Sequence, residues 1–190
     1  MTHTHNKDAT SAGVRVRFMV LELGSHPEHV TFPKGMEMQE LAYIDPDTYR
    51  DMHRDVGQDC LWWMRRVMTD HELDAILTSS HLHVYQLTHN SKPVGFVEID
   101  TSLMPRVSIN YIGLVPSSRG CGLGMTLLKW AVWMCHVQGA RFISLNTSNA
   151  DHPRALQNYM AAGFQQVFQT DEIWTIPKYL KMTIPDDLKI

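Results

Sequence analysis

The stretch from Ile109 to Val137 restricts this 190-residue chain more than any other. Ile109, Tyr111, Ile112, Leu114 and Val115 make a β-branched and aromatic run. Pro116 ends it, and Gly120, Gly122 and Gly124 then lead into an apolar segment that continues to Val137. The pattern predicts strand, glycine loop, helix. A glycine loop that opens a helix exposes backbone N–H groups at the positive end of the helix dipole, so the expected guest is an anion. Glycines permit the close backbone approach that a phosphate requires, above all the pyrophosphate of a nucleotide cofactor.

Spacing separates three loops of this kind. A P-loop places Lys and then Ser or Thr straight after its last glycine, whereas the first lysine here is Lys129, well inside the helix. A dinucleotide fingerprint, Gly-x-Gly-x-x-Gly, needs glycine at Met125 or Leu127, and the following strand ends at Asn146 with no acid to hold a ribose. What remains is Arg119-x-x-Gly122-x-Gly124 directly behind Val115 and Pro116. This resembles motif A of the GNAT superfamily of acyl-coenzyme A-dependent N-acyltransferases. Downstream, Ala155, Leu156, Tyr159, Gly163 and Phe164 are similar to that family's second signature, Ala-Leu-x-x-Tyr-x-x-x-Gly-Phe. The two signatures and the strands between them cover roughly residues 81 to 175.

The resemblance implies an α/β chain with the GNAT fold: a mixed, mostly antiparallel central sheet flanked by helices, with a parallel strand pair around the coenzyme site. It implies transfer of an acetyl group from acetyl-coenzyme A to a primary amine of a small molecule or peptide. A non-catalytic acyl-coenzyme A sensor or scaffold of the same fold is the alternative. Carried onto this sequence, Arg119, Gly120, Cys121, Gly122, Leu123 and Gly124 hold the pyrophosphate, mostly through backbone N–H groups. The backbone at Leu114 and Val115 pairs with the pantetheine arm and supplies the oxyanion donor. Tyr159 protonates the departing thiolate, against a competing reading as a core tyrosine.

The sequence departs from the family at the base. Ser108 and Asn110 stand on the strand entering motif A, where many members carry Glu. Glu98 and Asp100 alternate onto one face of the neighbouring strand, and Glu98 is the expected base, with Asp100 or water as the other routes for the amine proton. His152 replaces a common Asn, and Cys121 stands where a basic residue is frequent. In the family, the helices after the first strand line the acceptor side. Tyr49, Trp63, Arg65 and Arg66, with Asn110 of the strand, are therefore the candidate acceptor contacts, an Arg serving to hold an acceptor carboxylate. The competing reading puts Trp62 and Trp63 in the core and the arginines in water.

Composition excludes other classes. A net charge of −3 with scattered Lys and Arg argues against a chain built to coat nucleic acid or an anionic membrane. Three cysteines, Cys60, Cys121 and Cys135, form no close pair, as expected of reduced thiols in a cytoplasmic protein. The N-terminus has no apolar core, so no signal peptide is expected. Gly122 to Val137 is the most apolar stretch, yet it is too short to span a bilayer and carries Thr126, Lys129 and His136. His3 and His5, like His81 and His83, lack further ligands at metal-site spacing, so no metal is expected. A homodimer is the base-rate expectation.

In order, the chain predicts a polar tail over 1–13 and a single domain over 14–190. The domain starts with a strand over Arg15 to Leu23, then an irregular stretch from 24 to 44. A helix from Asp45 and Pro46 stops at Gly57 and resumes to Arg66, and a second follows from Thr69 to Thr78. A hairpin spans 83–88 and 94–100, and a third strand runs from Arg106 to Val115. After the long helix come a parallel strand over 140–146, a helix beginning near Asp151 or His152, a strand over 164–171, and a last strand over 179–183.

Overall fold

The computed structural model describes residues 8–24 and 26–190. Seven strands form one sheet: β1 (Ala9–Glu22), β2 (Met36–Glu40), β3 (Leu82–His89), β4 (Lys92–Asp100), β5 (Arg106–Leu114), β6 (Phe142–Ser148) and β7 (Gln165–Pro177), in the order β2-β3-β4-β5-β6-β1-β7. All neighbours are antiparallel except β5 and β6, whose connection through a helix makes them parallel. Five helices cover the faces: α1 (Pro46–Gly57), α2 (Met64–Val67), α3 (Asp70–Leu77), α4 (Leu123–Val137) and α5 (Ala155–Ala161).

The helix starts follow their chemistry. Asp45 caps α1 by accepting from the Thr48 N–H at 3.0 Å, with Pro46 in the first turn. Thr69 and Glu72 close a reciprocal capping box on α3. Buried side chains divide into two layers and a flank. Leu127, Leu128, Ala131 and Cys135 of α4 pack on the face of the sheet that shows Val97, Ile99, Val107 and Ile143. Tyr49, Met52 and Val56 of α1, with Leu73 of α3, pack on the opposite face against Val84 and Phe96. On that second face, Ala12, Val14 and Val16 of β1 meet Leu61 and the C-terminal residues Leu180, Ile184 and Leu188.

Several boundaries differ from the sequence expectation. Residues 1–7, and His3 and His5 with them, lie outside the described residues, but residues 9–13 belong to β1 and pair with β7 from Ala9↔Pro177 to Gly13↔Ile173. Ladder hydrogen bonds use only backbone groups, so a polar segment joins a strand readily once a partner lies beside it. For the same reason β2 emerges from the stretch expected to be irregular, pairing Met36↔His89 through Glu40↔Tyr85. The expected strand over 179–183 is absent: β7 runs on to Pro177, which cannot continue a ladder, and Lys178–Leu180 form a 3-10 turn. The last helix begins at Ala155, because Asp151 holds the preceding residues in a turn by accepting from the Ser148 N–H.

Candidate active site

The parallel pairing of β5 and β6 lasts for three positions only, Arg106↔Phe142, Val107↔Ile143 and Ser108↔Ser144. Beyond Ser108 the two strands separate, and a cavity of about 1010 Å³ occupies the gap. At the same point β5 carries a bulge. Glu98 pairs with Tyr111 and Ile99 with Ile109, so Asn110 is left unpaired. The slip puts Asn110 and Tyr111 on one face, that of α1, where Asn110 bonds to Glu98 and Tyr111 meets Trp62. The cavity therefore has two arms. One is lined by the glycine loop, α4 and α5; the other lies over the opposite face, between α2 and the strands β1 and β7.

The loop arm is built from backbone. Gly120 and Gly122 have φ of +91° and +82°, a region that side chains with a Cβ rarely enter. A Cβ at either position would meet nothing within 4 Å and would project into open space. Met125 and Thr126 donate their N–H groups back to Gly122, but the amides of Gly120, Cys121, Gly122, Leu123 and Gly124 have no protein acceptor among the described residues. These successive N–H groups stand at the N-terminus of a 15-residue helix. This donor set suits a diphosphate.

Arg119 behaves differently from the expectation that it grips the pyrophosphate. Its guanidinium holds Asp59 through two bonds of 2.5 and 3.1 Å, reaches the Val56 carbonyl at 2.7 Å, and donates through Nε to the Leu114 carbonyl at 3.0 Å. The residue is a strut that ties the loop to the end of α1 and to β5. Val115 is corrected too. Its N–H donates to the Val94 carbonyl at 2.9 Å and is not open to a ligand. Because Val115 and Val94 form a hydrogen-bonded pair, the alternation of an antiparallel ladder turns the Leu114 N–H the other way, toward the gap.

Tyr159 on α5 lines the cavity beside the Phe164 ring, and its hydroxyl has no protein partner among the described residues. Burial, with the nearby charge of Asp151, raises its pKa above the ordinary phenol value, so it is protonated at neutral pH. Asp151 follows the carboxyl end of β6 and also lines the cavity. Its Oδ1 accepts from the Trp62 indole at 3.1 Å, and its Oδ2 accepts from Thr147 Oγ1 at 2.9 Å and the Ser148 N–H at 2.7 Å. Burial pushes its pKa up despite these bonds. Two carboxylate oxygens carry about four lone-pair sites, so one on Oδ1 stays free. The sequence reading gave Asp151 only the role of a helix start; an acid directly after a strand end, where α/β ligands collect, was the available signal.

Glu98, the expected base, does not line the cavity. It is 0% exposed and accepts from the Tyr49 hydroxyl, from Arg65 Nη2 at 2.7 Å and from Asn110 Nδ2 at 3.0 Å. Its carboxylate is closed in by donors and has no route to an amine. Tyr49 is 0% exposed as well, held between Glu98 and the ring nitrogen of His53 at 2.9 Å, so it is no acceptor contact. Burial lowers the His53 pKa to about 3, which keeps the ring neutral. Arg66 turns away to Gln58 at 2.7 Å and the Leu180 carbonyl. Trp63 and Asn110 do line the second arm, together with Arg65. Asp100 accepts from the Ser102 N–H and is no part of the cavity. Cys60 and Cys135 are buried, and Cys121 is exposed in the loop. No group of three or more metal-ligating side chains occurs among the described residues, and none of their helices is long and apolar enough to cross a membrane.

Comparison with known proteins agrees with this geometry. The family model described as the acetyltransferase (GNAT) family matches residues 40–164. Among solved structures, a GCN5-related N-acetyltransferase from Sphaerobacter thermophilus superposes with a TM-score of 0.65 at 15% identity, over 87% of this chain and 53% of that one. A GCN5-related N-acetyltransferase from Kribbella flavida gives 0.56 at 15% identity, over 92% and 63%. An aminoglycoside acetyltransferase from an uncultured soil metagenomic sample, in complex with trehalose, gives 0.56 at 15% identity, over 70% and 93%. The chain thus spans about half to two thirds of the first two structures, and at these identities the likeness is one of fold. No curated protein matches. With the family model covering most of the chain, and a splayed parallel pair beside a glycine loop of free amides, this protein belongs to the GNAT acetyltransferase family.

Proposed function

We propose that this protein transfers the acetyl group of acetyl-coenzyme A to a primary amine. The observation that carries the proposal is the run of unpartnered amides from Gly120 to Gly124 at the mouth of a gap between diverging parallel strands. Acetyl-coenzyme A supplies the acyl group activated as a thioester. The protein supplies the rest. The loop amides hold the diphosphate, the Leu114 N–H faces the gap as a donor for the arm and for the developing charge on the acyl oxygen, and Arg119 fixes the loop in place.

The proton account uses two residues. As the neutral amine nitrogen bonds to the acyl carbon and the carbon–sulfur bond breaks, the nitrogen gives up one proton and the sulfur takes one. Asp151 receives the first, directly or through a water on its free Oδ1 site, and its raised pKa suits it to the task. Tyr159 gives the second, its raised pKa having kept it protonated until a thiolate develops. The charge of Asp151 bears on Tyr159, and return of a proton from Asp151 to Tyr159 restores both for the next turnover.

The test is release of free thiol from acetyl-coenzyme A that depends on an added amine. A sensor or scaffold of this fold binds the thioester and releases nothing, and that result would leave the binding assignment standing while removing the transferase one.

A further inference from the structure

The arm of the cavity that faces α2 differs in chemistry from the loop arm. Its walls are largely apolar, with Phe18 of β1 and Phe168 of β7 at a ring distance of 5.7 Å, and Trp63 and Met68 on the opposite side. Two guanidinium side chains, Arg65 and Arg106, also line it. Arg65, whose side chain is 12% exposed, gives Nη2 to Glu98 and points Nη1 at the Met68 sulfur at 4.0 Å, while its buried Nε–H has no partner. The Trp63 indole N–H beside it has none either. Arg106 on β5 lines the same cavity, is exposed, and forms no ion pair among the described residues.

Three acids lie at or beside this arm. Glu98 lies beneath Arg65, saturated by three donors. Glu172 on β7 lines the cavity and accepts from the Trp174 indole at 2.8 Å, and Asp151 at the junction accepts three bonds. Two guanidinium groups above an apolar wall, Arg106 among them without a carboxylate partner among the described residues, fit a carboxylate on an apolar body. Arg65 and Asn110 bond the same oxygen of Glu98, and Asn110 is the bulge residue at the point where the strands part. The carboxylate seat is therefore next to the place where the amine reacts.

We infer that the acceptor is an amine carrying its carboxylate within a few bonds and an apolar side group, an amino acid-like zwitterion, read by Arg65 with Arg106. Glu98 and Tyr49 then serve as positioning residues that hold Arg65 and Asn110 at the gap. The inference rests on the acyl-transfer reading and adds to it the class of acceptor.

The experiment is a thiol-release panel of apolar amino acids, their carboxamides, spermidine and an aminoglycoside, with acetyl-coenzyme A affinity measured by calorimetry on the same preparations. The amino acids should be acylated with kcat/KM at least about 100-fold above their carboxamides, since a site built around a carboxylate leaves buried donors unpaired without it. Arg106→Ala, an exposed change, and Arg65→Lys, which keeps charge beside Glu98, should each shrink that ratio about tenfold or more while leaving coenzyme affinity unchanged. A merely structural role would lower both substrates alike. Carboxamides or spermidine acylated as fast as the acids, or coenzyme binding with no acid accepted, would overturn the inference. Absence of coenzyme binding to the wild-type protein would instead overturn the transferase reading beneath it.

Discussion

Gly122→Val separates the work of the loop from the stability of the fold. At φ +82° a residue with a branched side chain is strained, by about 1–3 kcal/mol, but its Cβ would meet nothing within 4 Å. For a domain of this size the strain lowers Tm by roughly 2–12 °C and leaves a folded protein. The isopropyl group would lie over the Gly122 and Leu123 amides. Losing two hydrogen bonds to a charged group, each worth about 1.5–3 kcal/mol, predicts a Kd for acetyl-coenzyme A weakened by about 10²–10⁴-fold. Gly139→Val is the matched control. Gly139 has φ +92° and lies past the far end of α4, where a Cβ would only touch the end of Met104 at 3.5 Å. It should cost similar stability with no loss of coenzyme affinity. Calorimetric Kd and thermal melts on both variants form the assay. Equal loss of affinity in the two, or an unchanged Kd for Gly122→Val, would refute the assignment of the loop amides.

Other expectations follow from the same geometry. Tyr159→Phe should lower kcat by about 10²-fold or more with KM nearly unchanged, because the hydroxyl acts on the departing sulfur rather than in binding; steady-state kinetics checks it. Asp151→Asn should remove the acid limb of the pH profile of kcat/KM. Because burial raises the Asp151 pKa, that limb in the wild type should lie above the ordinary carboxylate range, with activity falling as pH drops through it. His53 predicts a stability effect independent of catalysis. Its folded pKa of about 3 lies below the unfolded value of 6.5, so the unfolded chain takes up more protons between those values and stability is lost as pH falls. From pH 7 to pH 4 the loss is about 3 kcal/mol, and His53→Phe should flatten that part of the curve in denaturant titrations.

The parts of the fold governed by local chemistry were legible in the residues. Pro116 and three glycines marked the turn from β5 into α4, Asp45 with Pro46 and Thr69 with Glu72 marked two helix starts, and the Asn90 turn marked the β3–β4 hairpin. What depended on distant partners was not. The insertion of β1 between β6 and β7 leaves no signal inside Ala9 to Gly13, because the pairing is backbone to backbone across more than 150 residues. The site divides in the same way. The glycines at positive φ and Tyr159, which line the cavity, could be singled out as candidates because each is tied to a local motif. Glu98 and Tyr49 were misjudged because alternation along a strand says which face a side chain takes, not whether Arg65, Asn110 and α1 close over it. The role of Arg119 turned on Asp59, which sits 60 residues earlier.

A crystal structure of the protein with acetyl-coenzyme A measures the central claim directly. The account predicts diphosphate oxygens at hydrogen-bond distance from amides between Gly120 and Gly124, with the acyl end in the gap between Leu114 and Ser144 and the Tyr159 hydroxyl on the sulfur. A coenzyme bound elsewhere, with those amides facing only solvent, would contradict it.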